Sequence, residues 1–197
     1  MNSFKTPNKL TKNICWVIAA ILCDGHIRKD LSGIVFEVKD LHLIKNFANK
    51  ISISFGIKSP KILIRKRKNY NPTFAMYIYN KKLCTYLSNY FNIKPGKKSN
   101  LIQVPKVIKI SKKSMKKAFL KGVFDTDGGK RGRGLGLTSL SEKFVDEVGE
   151  LLKEFGVNQY KESWMNKKYQ KKCFGSRFKI DANSMFLLRQ SKANAKN

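Results

Sequence analysis

VIAAILCDG, Val17–Gly25, is an apolar run that finishes on a carboxylate followed by glycine, and this ending decides how the chain is read. The run predicts a helix whose last turn carries Asp24. A helix C-terminus already bears about half an elementary negative charge from its unpaired carbonyls, so an aspartate there is misplaced unless something compensates it. Gly25 is expected to be the left-handed residue that closes many helices. The arrangement returns about half a chain later as LKGVFDTDG, Leu120–Gly128, with Asp127 and Gly128 in the places of Asp24 and Gly25.

Two such endings point to a repeat, and the flanking sequence supplies it. GIVFEVKDLHLIKNFANKISISFGI, Gly33–Ile57, matches GLGLTSLSEKFVDEVGELLKEFGV, Gly134–Val157; FAMYIYNKKLCTYL, Phe74–Leu87, matches SRFKIDANSMFLL, Ser176–Leu188. In the first copy, Leu10–Cys23 reads as a helix, and HIRK and IVFEVK read as a hairpin across Asp30–Gly33. Leu41–Phe55 has a helical period of apolar residues that stops at Gly56. KILIRKRK and TFAMYIYN form a second hairpin around NYNP, and Lys81–Phe91 is a closing helix. Each half is therefore expected to be α-β-β-α-β-β-α, an α+β tandem: residues 1–92, a linker at 93–113, and residues 114–197.

The 197 residues contain 41 Lys and Arg against 13 Asp and Glu, a formal charge of +28. Charge of that size is best offset by a polyanion, which makes nucleic acid the leading partner. An anionic membrane is the competitor, but the chain has no long apolar run, signal peptide or lipidation motif, so no membrane partner is expected. Cys15, Cys23, Cys84 and Cys173 are scattered, without metal or disulfide spacing. They are expected to be free thiols of an intracellular, reducing compartment: a prokaryotic cytoplasm or an organelle matrix, not a secreted protein.

Strand alternation puts Ile27, Phe36, Ile62, Ile64, Met76 and Ile78 on a covered face. It leaves Arg28, Arg65, Arg67 and Tyr77 on the other. The second half offers Arg131, Arg133, Arg177 and Lys179, with Phe178 and Ile180 inward. These eight residues are the candidate DNA contacts, since arginines on β-ribbons can read guanine edges while most basic residues hold phosphates.

VIAAILCDG and LKGVFDTDG, set in a basic αββαββα duplication, resemble the paired motifs of the LAGLIDADG homing endonucleases, and the likeness covers almost the whole chain. It implies that the two motif helices pack at the junction of the halves, with each final acid delivered to a shared active site under a saddle of antiparallel strands. It also implies a long pseudo-palindromic duplex target cut on both strands across the minor groove, and mobility of the encoding element, an intron. The Met1 start and the lack of splice-like ends argue against an intein. With both half-site readers in one chain, a monomer is expected.

If the motif helices cross closely, small residues must meet there, and Ala19, Ala20, Gly122 and Val123 occupy the corresponding positions. The crossing would bring together Asp24, Asp127 and the last helix carbonyls, at Cys23 and Thr126. Such an oxygen cluster suits hard divalent cations: magnesium first, with manganese or calcium able to take its place. The family's first motif acid is Leu22 in one copy and Asp125 in the other, so Asp125 is expected to play a structural or helper role. Lys121 replaces a small residue and is expected to point away from the crossing. Lys39 and Lys130 match by location the basic residues that family members place near scissile phosphates. The rival readings are an RNA maturase that grips intron RNA to assist splicing, and a DNA-binding regulator that kept the fold. Retention of both aspartates favours cutting.

Overall fold

The computed structural model describes residues 4–58, 60–66, 71–131, 134–166 and 171–179. These form two compact units, residues 1–98 and 99–197. The first runs α1 (Lys12–Cys23), β1 (Gly25–Ile27), β2 (Ile34–Val38), α2 (Leu41–Phe55), β3 (Ile62–Arg65), β4 (Thr73–Ile78) and α3 (Lys81–Phe91). The second runs α4 (Lys106–Lys109), α5 (Lys113–Thr126), β5 (Gly128–Arg131), β6 (Gly134–Ser139), α6 (Glu142–Lys153), β7 (Gln159–Asn166) and β8 (Lys171–Lys179). The order in the first half is the one read from the sequence. In the second half the expected closing helix falls outside the described residues.

Each unit holds a four-stranded antiparallel sheet, ordered β1-β2-β4-β3 in one and β5-β6-β8-β7 in the other. The identical order is the structural form of the repeat. Side chains at the boundaries explain where the helices start. The Thr11 hydroxyl accepts from the Ile14 amide, Asp40 from those of His42 and Leu43, Asn80 from Leu83, and Ser141 from Phe144. Each satisfies amides that a first turn leaves orphaned. Gly56 closes α2 at a φ of 68°, where a side chain would be strained.

Burial follows the expected alternation in β2, where Ile34, Phe36 and Val38 are buried between half-buried Val35 and Glu37. Phe36 stacks on Phe47 of α2 with ring centroids 4.1 Å apart, locking helix to sheet. Ile27, Met76 and Ile78 join the core; Ile64, expected there too, is 63% exposed. It lies on edge strand β3, whose one ladder partner is β4. Every residue from Ile14 to Leu22 is buried, so α1 is enclosed on all sides rather than along one stripe. Ala19, Ala20, Gly122 and Val123 are all buried. Burial pushes the Cys15 thiol up to about 12 and that of Cys84 to about 11, as expected of inert core thiols.

The lysine-rich stretch between the repeats is packed. Ile93 is buried, and the Gly96 amide donates to the Ile27 carbonyl at 2.8 Å, which returns the chain to the end of β1. Further on, Ile102, Val104 and Ile108 are buried in the second unit. The buried Glu147 carboxylate accepts from the Val104 amide at 2.7 Å and from the Lys109 ammonium, and Ser141 donates to the Ile102 carbonyl at 2.6 Å. No helix among the described residues is long and apolar enough to cross a membrane.

Candidate active site and nucleic-acid interface

The two motif helices end in the same way. Asp24 caps α1 at φ −98°, ψ −13°, its amide bonded to the Ala20 carbonyl; Asp127 caps α5 at φ −91°, ψ −4°, its amide bonded to that of Val123. Both keep a right-handed helical conformation at the cap. The chain then turns straight into a strand, β1 or β5.

The glycines make that turn possible, though not as left-handed residues. The described glycines with positive φ are Gly56, Gly96 and Gly156, and neither Gly25 nor Gly128 is among them. A Cβ on Gly25 would lie 2.9 Å from the Ile21 Cα; on Gly128 it would lie 2.5 Å from the Phe124 carbonyl oxygen and 2.7 Å from its Cα. The strand returns so tightly against its own helix that only a hydrogen fits, and this leaves the aspartate at the tip of the turn.

Asp24 is exposed, with half-buried Cys23 behind it; Asp127 and Thr126 are both half-buried. The Thr126 hydroxyl donates back to the carbonyls of Gly122 and Val123 at 2.9 and 3.1 Å. The Lys121 ammonium lies 2.7 Å from the Asp125 carboxylate one turn on, which accounts for both departures from the motif: the two residues hold each other. Asp125 thereby has a structural partner on its own helix.

Sequence reasoning missed one group at this site. The Lys98 ammonium donates to the Ile21 carbonyl at 2.6 Å and to that of Leu22, so a cation only 7% exposed caps the end of α1 beside Asp24. It offsets the negative end of the helix dipole and supplies donors to carbonyls that the helix leaves unpaired. Burial, with Lys98 and Arg28 nearby, holds the His26 imidazole below its ordinary value. Lys98 and Arg28 thus stand near His26, two residues beyond the first motif acid. Lys39 is exposed in the bend between β2 and α2.

Across sheet one, ladder pairing sets Val35 opposite Tyr77, Glu37 opposite Ala75 and Arg65 opposite Thr73. Residues opposite each other share a face, so Glu37, Arg65 and Tyr77 lie together on the face away from Phe36. Arg28 is exposed and pairs with Asp30 at 3.5 Å. In sheet two, Arg131 and Lys179 each pair with Gly134, and Arg177 pairs with Gly136, while Lys130 pairs with Leu135, itself opposite Phe178. Arg67, Arg133 and Ile180 lie outside the described residues.

Residues 114–197 match the domain family described as LAGLIDADG-like. The second half is a LAGLIDADG-like domain. A structure from work on mesophilic variants of the homing endonuclease I-DmoI has a TM-score of 0.62 at 18% identity, covering 89% of this chain and 93% of that one. I-DmoI in complex with DNA and Mn scores 0.60 at 16% identity, over 89% and 94%. Other I-DmoI structures contain DNA with Ca, or were solved in the presence of Mg. Full-length DUF199/WhiA from Thermatoga maritima scores 0.63 at 14% identity, over 92% of this chain and 57% of that one. The LAGLIDADG resemblance read from the sequence therefore holds for the domain family over residues 114–197 and for the fold, which WhiA shares. The replication factor C small subunit of Methanocaldococcus jannaschii is 30% identical over 169 residues, 73% of this chain; the match spans 9% of that protein's length.

Among the described residues, no three His, Cys, Asp or Glu side chains gather into a metal cage. What each motif helix offers is one carboxylate with backbone carbonyls behind it. That donor set fits magnesium, manganese or calcium, which take oxygen ligands and, for magnesium, keep several waters and substrate phosphates. It does not fit a tetrahedral structural zinc site.

Proposed function

We propose that this chain is a site-specific DNA endonuclease of the homing type, hydrolysing phosphodiesters on both strands of a long pseudo-palindromic duplex. The observation that carries the reading is the duplicated helix end: two carboxylates at the same capping position, each followed by a glycine that has no room for a Cβ. A helix end with a purely structural role would not need an acid at its tip.

In this reading Asp24 and Asp127 would hold divalent cations, helped by the carbonyls of Cys23 and Thr126. Bound there, such an ion lowers the pKa of a water and stabilises the charge of the leaving oxygen. The chain's own residues do the rest. Lys98 donates to the last carbonyls of α1 and offsets the negative end of the helix that carries Asp24. Lys121 pairs with the Asp125 carboxylate and keeps it in a structural role. Lys39, in the bend after β2, and Lys130, in the strand after Asp127, are the candidates to meet phosphate oxygens as charge develops. Arg28, Arg65, Arg67 and Tyr77 in one half, and Arg131, Arg133, Arg177 and Lys179 in the other, would carry the two half-sites, so that one chain suffices as a monomer. Encoding within a mobile intron, in an intracellular compartment, belongs to the same reading.

The test is a randomised duplex library incubated with the full chain and Mg²⁺, with a parallel reaction in chelator. Paired staggered cuts at a defined long site that vanish with chelator support the reading. Binding to folded intron RNA with no duplex cleavage under any divalent ion refutes it and favours the maturase.

A further inference from the structure

Sheet one carries one carboxylate in its four strands, Glu37, and it stands on the face assigned to DNA. A negative charge on that face opposes phosphate binding, in a chain whose formal charge is +28. Its contacts show what it provides in return. The Glu37 carboxylate accepts from the Arg65 Nη1 at 2.8 Å through one oxygen and from the Thr73 hydroxyl at 2.7 Å through the other. The strand order β2-β4-β3 means that Arg65, on the edge strand, reaches across β4 to make this pair. Its guanidinium also lies over the Tyr77 ring, 5.2 Å from the centroid. A long, flexible side chain is therefore fixed at two points, by a carboxylate that is itself fixed by a hydroxyl, while 42% of it stays exposed.

Fixing an arginine has little value for phosphate binding, which a mobile cation on a stem does equally well, but it has value for a base edge. A guanidinium reads guanine O6 and N7 with two parallel hydrogen bonds, and that geometry tolerates little error. The same pair as a stability device is worth little, since both partners are partly exposed. We propose that Arg65 is a base-reading, specificity-determining residue for a guanine in the major groove of the first half-site, and that Glu37 is its positioning residue. Glu37 trades general affinity for discrimination at one base pair. This rests on the endonuclease reading above, which supplies the duplex.

The experiment is selection of a randomised duplex library by the full chain in Ca²⁺, comparing native protein with Glu37→Gln, Thr73→Val and Arg65→Ala. The native chain is expected to select a sequence with guanine at one position that Glu37→Gln loses, with preference there falling on the order of 10-fold. Preferences elsewhere in the site stay unchanged, binding to unselected DNA tightens, and the melting temperature holds. Thr73→Val shows the same single-position loss in weaker form. Arg65→Ala removes the preference without lowering the salt slope of non-specific binding. If Arg65→Ala instead weakens all sequences equally and lowers that slope by about one, it is a phosphate contact and the proposal fails. An unchanged Glu37→Gln profile, on a chain that does select a site, overturns the proposal and leaves the endonuclease reading standing. No selection by the native chain overturns both.

Discussion

Replacing Lys98 with methionine keeps the buried stem and removes the ammonium. Two carbonyls at the end of α1, those of Ile21 and Leu22, then lose their charged donor. Hydrogen bonds to charged groups contribute about 1.5–3 kcal/mol each, and a cation at a partly buried helix C-terminus up to about 2 kcal/mol. Against this stands the several kcal/mol released by no longer burying an ion. A net loss of about 2 kcal/mol follows, or roughly 4–8 °C of melting temperature in a chain this long. The assay is a thermal melt followed by circular dichroism, without metal or DNA. Lys97 is the control, because it is the adjacent lysine and is exposed. Its methionine variant should melt within about 0.5 kcal/mol of the native chain. If Lys98→Met melts alongside Lys97→Met, the ammonium does not hold the end of α1 and the account of the site's electrostatics is wrong.

Gly25→Ala and Gly128→Ala should each cost about 1–3 kcal/mol in urea unfolding, with Gly128 the worse because its new Cβ would meet backbone at 2.5 and 2.7 Å. Glu147→Ala should strip the Val104 amide and the Lys109 ammonium of their buried acceptor, and hydrogen exchange should quicken across residues 102–110 before it does elsewhere. Cys15 and Cys84, with thiols pushed up to about 12 and about 11, stay protonated at pH 8 and should resist a thiol reagent in the native protein and react once it is unfolded.

The helices of the first half were legible in the sequence through their apolar runs and periods; Thr11, Asp40 and Asn80, which cap them, set the exact starts, and α1 begins at Lys12 rather than at Leu10. The repeat carried the same reading to the second half. What the sequence could not show depends on contacts between distant segments. Gly25 looks like a helix-ending glycine until the strand behind it is seen pressed onto Ile21. Lys98 is one of 41 basic residues and has no local mark; only the return of the chain through Gly96 to Ile27 carries it under α1. Alternation alone puts Glu37 and Arg65 on one face, but their pairing needs β4 to lie between β2 and β3, and two hairpins read separately do not give that order.

The central claim is that Asp24 and Asp127 are ligands of the cleavage chemistry, and the most direct measurement is double-strand cleavage of a selected duplex in Mg²⁺ by the native chain, Asp24→Asn and Asp127→Asn, with binding measured alongside. The account predicts that each substitution abolishes double-strand cleavage while the duplex is still bound with near-native affinity. Undiminished cleavage by both variants would contradict it.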